Sequence, residues 1–180
     1  MRFLLSILIL TLTGTVSNAA TPITKDMANS YYNNCISKKG DQKLTKESQD
    51  FLCSCTAAQM MDSMSVEDVQ AMSTQDQRTA RRAFNKMLIN VYAPCMEYPA
   101  KDHYYNTCLS NPQTKKLGGN PEKLCGCMSD KVATHLKQNG KELFTGILKR
   151  NPNVTDPMAA LEADKQFQNY VGKQALSCVF

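Results

Sequence analysis

The sequence predicts an all-α protein built from two tandem, disulfide-stapled helical modules of about four helices each, related by internal duplication. Three observations carry that prediction: eight cysteines behind an export leader, a four-cysteine pattern that occurs twice, and apolar residues at helical rather than alternating spacing.

The leader comes first in the chain. Met1-Arg2 is a short basic start, and Phe3 to Leu12 is an apolar run broken only by Ser6 and Thr11. Small residues at Ser17 and Ala19 suit a signal peptidase, so residues 1–19 are expected to be a signal peptide cleaved after Ala19. A membrane anchor needs about 20 apolar residues, and this run is about half that. No later segment is apolar for long enough to span a bilayer. Cleavage leaves 161 residues with a formal charge of +4, since the +5 of the whole chain includes Arg2. The expected location is the periplasm or the exterior. No run of lysine and arginine is dense enough to suggest nucleic acid. Asn153-Val154-Thr155 matches the glycosylation acceptor pattern, once, as chance allows.

The duplication appears when the chain is slid against itself. Tyr31-Tyr32-Asn33-Asn34-Cys35 lies over Tyr104-Tyr105-Asn106-Thr107-Cys108, and Ser37 over Ser110. Lys43-Leu44 then lies over Lys116-Leu117, and Leu52-Cys53-Ser54-Cys55 over Leu124-Cys125-Gly126-Cys127 after a one-residue gap. Phe84, Leu88 and Cys95 fall over Phe167, Val171 and Cys178 after a longer insertion. The patterns are C-x17-C-x-C-x39-C and C-x16-C-x-C-x50-C. The expected modules are residues 20–97 and 98–180, with Pro94 to Asp102 as the junction. Units of this size have little core of their own, which is where disulfides help most.

Each module is expected to hold a first helix (about 25–38 or 102–110), a C-x-C helix, a short helix and a long one. The C-x-C helix starts near Thr45 in one module and near Asn120-Pro121 in the other; Leu44, Phe51, Leu52, Cys55 and Ala58 mark its buried side in the first. Ser65-Val66-Glu67-Asp68 opens the short helix. From Gln77 to Tyr92, Ala80, Ala83, Phe84, Met87, Leu88, Val91 and Tyr92 form a 3.6-residue stripe, with Arg78, Arg81, Arg82 and Lys86 mostly off it. Thr74 and Gln77 have capping-box spacing at its start. The matching helix begins near Thr155-Asp156-Pro157, where proline fits the first turn, and carries Leu161, Phe167, Tyr170, Val171 and Leu176. No alternating β-branched stretch reads as a strand.

Helix geometry narrows the bridges. Residues two apart on a helix point about 200° apart, so the two cysteines of a C-x-C face different neighbours. Levels along an antiparallel hairpin favour Cys35–Cys53 and Cys55–Cys95, and by duplication Cys108–Cys125 and Cys127–Cys178. The swapped pairing within each module is the alternative. Each bridge is expected to contribute about 2–4 kcal/mol.

Candidate chemistry is sparse. There is no G-x-S-x-G, no glycine-rich phosphate loop, no H-E-x-x-H and no C-x-x-C-H; Gly118-Gly119 is a loop breaker only. The expected protein is no enzyme, has no cofactor, and binds an unknown protein or envelope component. Two alternatives use sulfur. Reduced cysteines with Met60, Met61 and Met64 suit Cu(I), although Val132 and Leu136 stand at the positions of Met60 and Met64 in the second module. A thiol redox protein is the other, with C-x-C where C-x-x-C is usual. His103 and His135 match Ser30 and Ser63 and so lie outside the shared framework. The paired tyrosines Tyr31, Tyr32, Tyr104 and Tyr105 are the repeated polar-aromatic feature, read as packing beside the bridges or as a duplicated recognition edge. The Arg78, Arg81, Arg82 and Lys86 face reads as solvated, with an anionic surface as its alternative partner.

Overall fold

The computed structural model describes residues 20–38, 44–116 and 120–179. The leader expected over residues 1–19 and the Gly118-Gly119 breaker lie outside the described residues. Nine α-helices follow in order among those described: α1 (Lys25–Ser37), α2 (Lys46–Ser63), α3 (Val66–Ala71), α4 (Gln77–Met87), α5 (Glu97–Ser110), α6 (Pro112–Lys116), α7 (Pro121–Arg150), α8 (Pro157–Ala163) and α9 (Lys165–Val179). The only β feature among the described residues is an isolated antiparallel bridge between Pro22 and Ser65.

The helix starts follow from side-chain caps. Thr24, Thr45 and Asn120 each accept a backbone N–H of the first turn, and Pro121 occupies the first turn of α7. Ser65 and Asp68 form a reciprocal capping box at α3. At α4 the expectation of a Thr74 cap is corrected: Asp76 is the cap, accepting from Arg78 N–H. An acid directly ahead of the helix is also better placed against the positive helix end than a threonine two residues earlier.

The long helix expected from Gln77 to Tyr92 changes winding midway. After Met87 it continues as a π-helical turn, Leu88–Tyr92, and then a 3₁₀ turn, Ala93–Cys95. Pro94 has no N–H to donate to the carbonyl four residues earlier, which ends α-helical bonding there. The segment expected as a junction, Pro94 to Asp102, is helical and packed: Ala93, Met96 and Ala100 are fully or almost fully buried. Consequently α5 begins five residues before the expected 102.

The second half departs further. Its C-x-C helix and expected short helix are one helix, α7, of 30 residues. The helix expected from Pro157 onwards is two, α8 and α9, broken at Asp164. That carboxylate accepts from Phe167 N–H and pairs with Arg150, so it caps α9 and ties it to the end of α7. Burial alone would raise the Asp164 carboxyl, but the Arg150 guanidinium and the capping N–H hold it below the ordinary value.

The core lies in two clusters. The larger gathers Leu88, Met96, Tyr104, Leu136, Phe144, Leu161 and Phe167 around α5 and α7; the smaller gathers Ile23, Ala28, Ala57, Met60, Met87 and Val91 between α1, α2 and α4. Tyr92 packs against both. On α2 the expected buried side is rotated: Ser48, Cys53, Thr56, Ala57 and Met60 are buried, Phe51, Leu52 and Cys55 are half-buried, and Ala58 is exposed. Helix α2 packs against α1 and the π turn and also against α5. Phe51 therefore serves the flank, its ring 4.4 Å from that of Tyr98. Leu176, expected on the inner stripe of α9, is 63% exposed.

Candidate functional site

All eight cysteines are in bridges: Cys35–Cys53 joins α1 to α2, Cys55–Cys95 joins α2 to the 3₁₀ turn, Cys108–Cys125 joins α5 to α7, and Cys127–Cys178 joins α7 to α9. No free thiol remains in this state. Thiolate, the nucleophile and soft metal ligand among cysteine forms, is therefore not available to the Cu(I) or redox alternatives without prior reduction. Met60 and Met64 are core residues, whereas Met61 is exposed, so the three methionines do not form one donor face.

The tyrosines divide by position. Tyr104 is only 4% exposed, and its hydroxyl accepts from Gln168 Nε2 at 3.5 Å. Burial takes Tyr104 out of any recognition edge and pushes its phenol up to about 12. Tyr31 is half-buried, its hydroxyl 3.2 Å from that of Tyr92, whose own phenol is pushed far up, chiefly by burial. Tyr32 donates to Asp50 Oδ1 at 2.7 Å, and that hydrogen bond raises its phenol. Tyr105 is half-buried. Three of the four thus hold helices together, and the set does not converge on one surface.

The two histidines sit on separate tasks. His103 Nε2 lies 2.6 Å from Glu162 Oε1, joining α5 to α8. His135 stacks on Tyr170 with ring centroids 4.1 Å apart, and burial lowers its affinity for a proton.

The arginine face is where the fold builds a site. Arg78, Arg81 and Arg82 fall at helical spacing on α4, so their side chains leave it on neighbouring faces. The chain between α7 and α8 runs past that side of α4. Val154 is buried in the larger core cluster, and Arg81 Nη1 donates to its carbonyl at 3.1 Å. The result is a cleft of about 930 Å³, with α4 and Met72 on one side and Pro152, Asn153 and Thr155 on the other. That lies within the range of small-molecule sites.

Its charge is one-sided. None of the three arginines makes an ion pair among the described residues; Lys86 is paired with Asp68 on a neighbouring side of α4, which Arg82 also borders. Asp76, the acid that feels Arg82, is held below its ordinary value mainly by the Thr79 hydroxyl and is committed to capping α4. The lining holds no Asp, Glu, His or Cys. It offers guanidinium, amide and hydroxyl groups beside the apolar surfaces of Met72, Ala80, Phe84 and Pro152. Such a set has donors suited to an anion and, among its side chains, no group able to take up a proton near neutrality. Asn85 is also on the wall, and its Oδ1 is buried with no hydrogen-bond partner among the described residues.

The arginine stripe is visible in the sequence; the wall facing it is not. Residues 152–155 lie in the insertion of the second cysteine pattern, some 70 residues from α4, and nothing local marks them as its neighbours. Comparison with known protein families, with characterised proteins and with solved structures finds no match.

Proposed function

We propose that this protein is an exported, non-enzymatic binding module, carried on two duplicated four-cysteine units (20–97 and 98–180), whose binding site is the arginine cleft. The observation that carries the reading is a cleft with three unpaired guanidiniums and no acid–base or nucleophilic side chain. Arg81 is half-buried without an ion-pair partner among the described residues, Arg78 and Arg82 stand exposed beside it, and a bound anion would give all three a counter-ion. The duplication is supported by the bridges, which follow one another in the same first-to-second, third-to-fourth order in each half, with no bridge crossing residue 97. Export is supported by the four bridges, which persist in oxidising compartments, and no described helix is long and apolar enough to cross a membrane.

Native mass spectrometry of the protein recovered from its own envelope or culture fluid tests the reading. The wild-type chain is expected to carry a non-covalent small-molecule adduct that the R78E/R82E variant lacks. Identical spectra for the two, free of adduct, overturn it. The same sample is expected to begin at Ala20; an intact Met1 argues against export by this leader.

A further inference from the structure

From the chemistry of the cleft we infer that its ligand is a free amphipathic oxyanion: one carboxylate or phosphate head on an apolar body. The inference rests on the cleft being the binding site and names what it takes. The head belongs on Arg78, Arg81 and Arg82. Arginine presents five N–H donors in a planar fork matched to carboxylate and phosphate, and such charge-assisted bonds are the stronger kind. Arg81 is held by its bond to the Val154 carbonyl, which commits one donor and leaves four. Arg78 and Arg82 are exposed and closer to solvent.

The body belongs on Met72, Phe84 and Pro152. The exposed surface of the cleft is more apolar than polar, which a bare inorganic anion does not use. A fully apolar ligand, in turn, leaves the guanidiniums unpaired and desolvated. Only a molecule with both parts satisfies both kinds of wall.

A headgroup still in its bilayer is disfavoured by what surrounds the cleft. Among the described residues the exposed large apolar ones are Met27, Ile36, Met61, Leu176 and Val179, none of which lines it. A membrane-docking surface needs apolar residues beside its cations to enter the interface. The ligand is therefore a free molecule that enters the cleft.

Calorimetric titration of the oxidised full chain with dodecanoate below its micellar range, with dodecanol and with inorganic phosphate is the test. Dodecanoate is expected to bind one to one, and dodecanol and phosphate at least about tenfold more weakly. R78Q and R82Q, both at exposed positions, are each expected to weaken dodecanoate by about tenfold with unchanged circular dichroism. Equal affinity for dodecanol removes the role of charge, equal affinity for phosphate removes the role of the apolar wall, and either result overturns the inference. So does arginine-dependent flotation with phosphatidylglycerol vesicles in the absence of dodecanoate binding. If none of the three solutes binds while the native adduct still depends on Arg78 and Arg82, the amphiphile assignment fails and the binding module stands.

Discussion

Two glycines of α7 stand in opposite surroundings. A Cβ on Gly140 would meet the Ala93 carbonyl oxygen at 2.7 Å, a backbone atom that cannot swing aside. A Cβ on Gly126, between the cysteines of the second C-x-C, meets nothing within 4 Å. Helix propensity favours alanine at both sites by about 0.5–1 kcal/mol. At Gly126 that preference is unopposed, so G126A is expected to raise stability by about that amount. At Gly140 the collision outweighs it, and G140A is expected to cost about 1–3 kcal/mol. Urea unfolding of the two single variants reads both signs, and a stabilised G140A would mean that α7 and the 3₁₀ turn are not in contact. A third residue sets an acid limit. Glu67 accepts from Thr21 N–H at 3.1 Å, and hydrogen bonding to Thr21, foremost through its side chain, holds its carboxyl down to about 2 against an ordinary 4.5. The unfolded chain therefore takes up this proton first as pH falls. The contribution of Glu67 is complete above about 4.5 and is lost progressively towards about 2. The urea midpoint of E67Q is expected to fall less than that of the wild type across that window. Parallel curves would show that Thr21 is not bound to α3.

Among the elements, the four bridges differ in what covers them. Cys53, Cys95 and Cys125 are each fully buried, so three bridges have one sulfur out of reach of solvent. Neither Cys127 nor Cys178 is buried, and α9 ends at Val179 beside them. Attack by a thiolate or phosphine requires access to a sulfur, so limiting reductant is expected to open Cys127–Cys178 first. Alkylation followed by peptide mapping identifies the pair, and earlier labelling of Cys35 and Cys53 would contradict the packing described. This bridge also closes the longest loop, with a sequence separation of 51. On chain entropy its loss costs about 4 kcal/mol, against about 3 for Cys108–Cys125. Most of these elements were legible in the sequence, because caps and bridges are local or follow from two-residue helix geometry. Thr45, Asn120-Pro121 and Ser65 start the helices that their side chains suit. What escaped had distant causes. The 30-residue length of α7 depends on packing against α5, the break at Asp164 depends on Arg150, and the rotated face of α2 depends on packing against both α1 and α5. For the candidate site, the stripe Arg78, Arg81 and Arg82 was visible as a pattern. Its reading as a solvated face failed to anticipate the chain at 152–155, since loop docking leaves no periodic trace.

At the scale of the whole molecule the question is whether residues 20–97 and 98–180 unfold together. The bridges divide cleanly at that boundary, but the packing does not. The larger core cluster takes Leu88, Ala93 and Met96 from before it, and Tyr92 touches both clusters. Polar contacts cross as well. Asp102 Oδ2 accepts from both the N–H and the hydroxyl of Thr45 at 2.7 Å, coupling the cap of α2 to α5. Glu97 pairs with Lys137, and the Ala93 carbonyl sits against Gly140. The arginine cleft depends on the same junction, since α4 supplies one wall and residues 152–155 the other. Contacts of this kind make separate opening of either half expose core to water, so the chain is expected to unfold in one cooperative step, with equal calorimetric and van't Hoff enthalpies. The separate fragments are expected to keep helical circular dichroism while losing fixed side-chain environments, because each would leave about half of a shared interface exposed. Two resolved calorimetric transitions, or sharp spectra from either fragment alone, would make the units independent domains. The cleft would then be a contact between two bodies, and its affinity would vary with their docking. A single transition places the cleft inside one folding unit, where occupying it stabilises both halves at once.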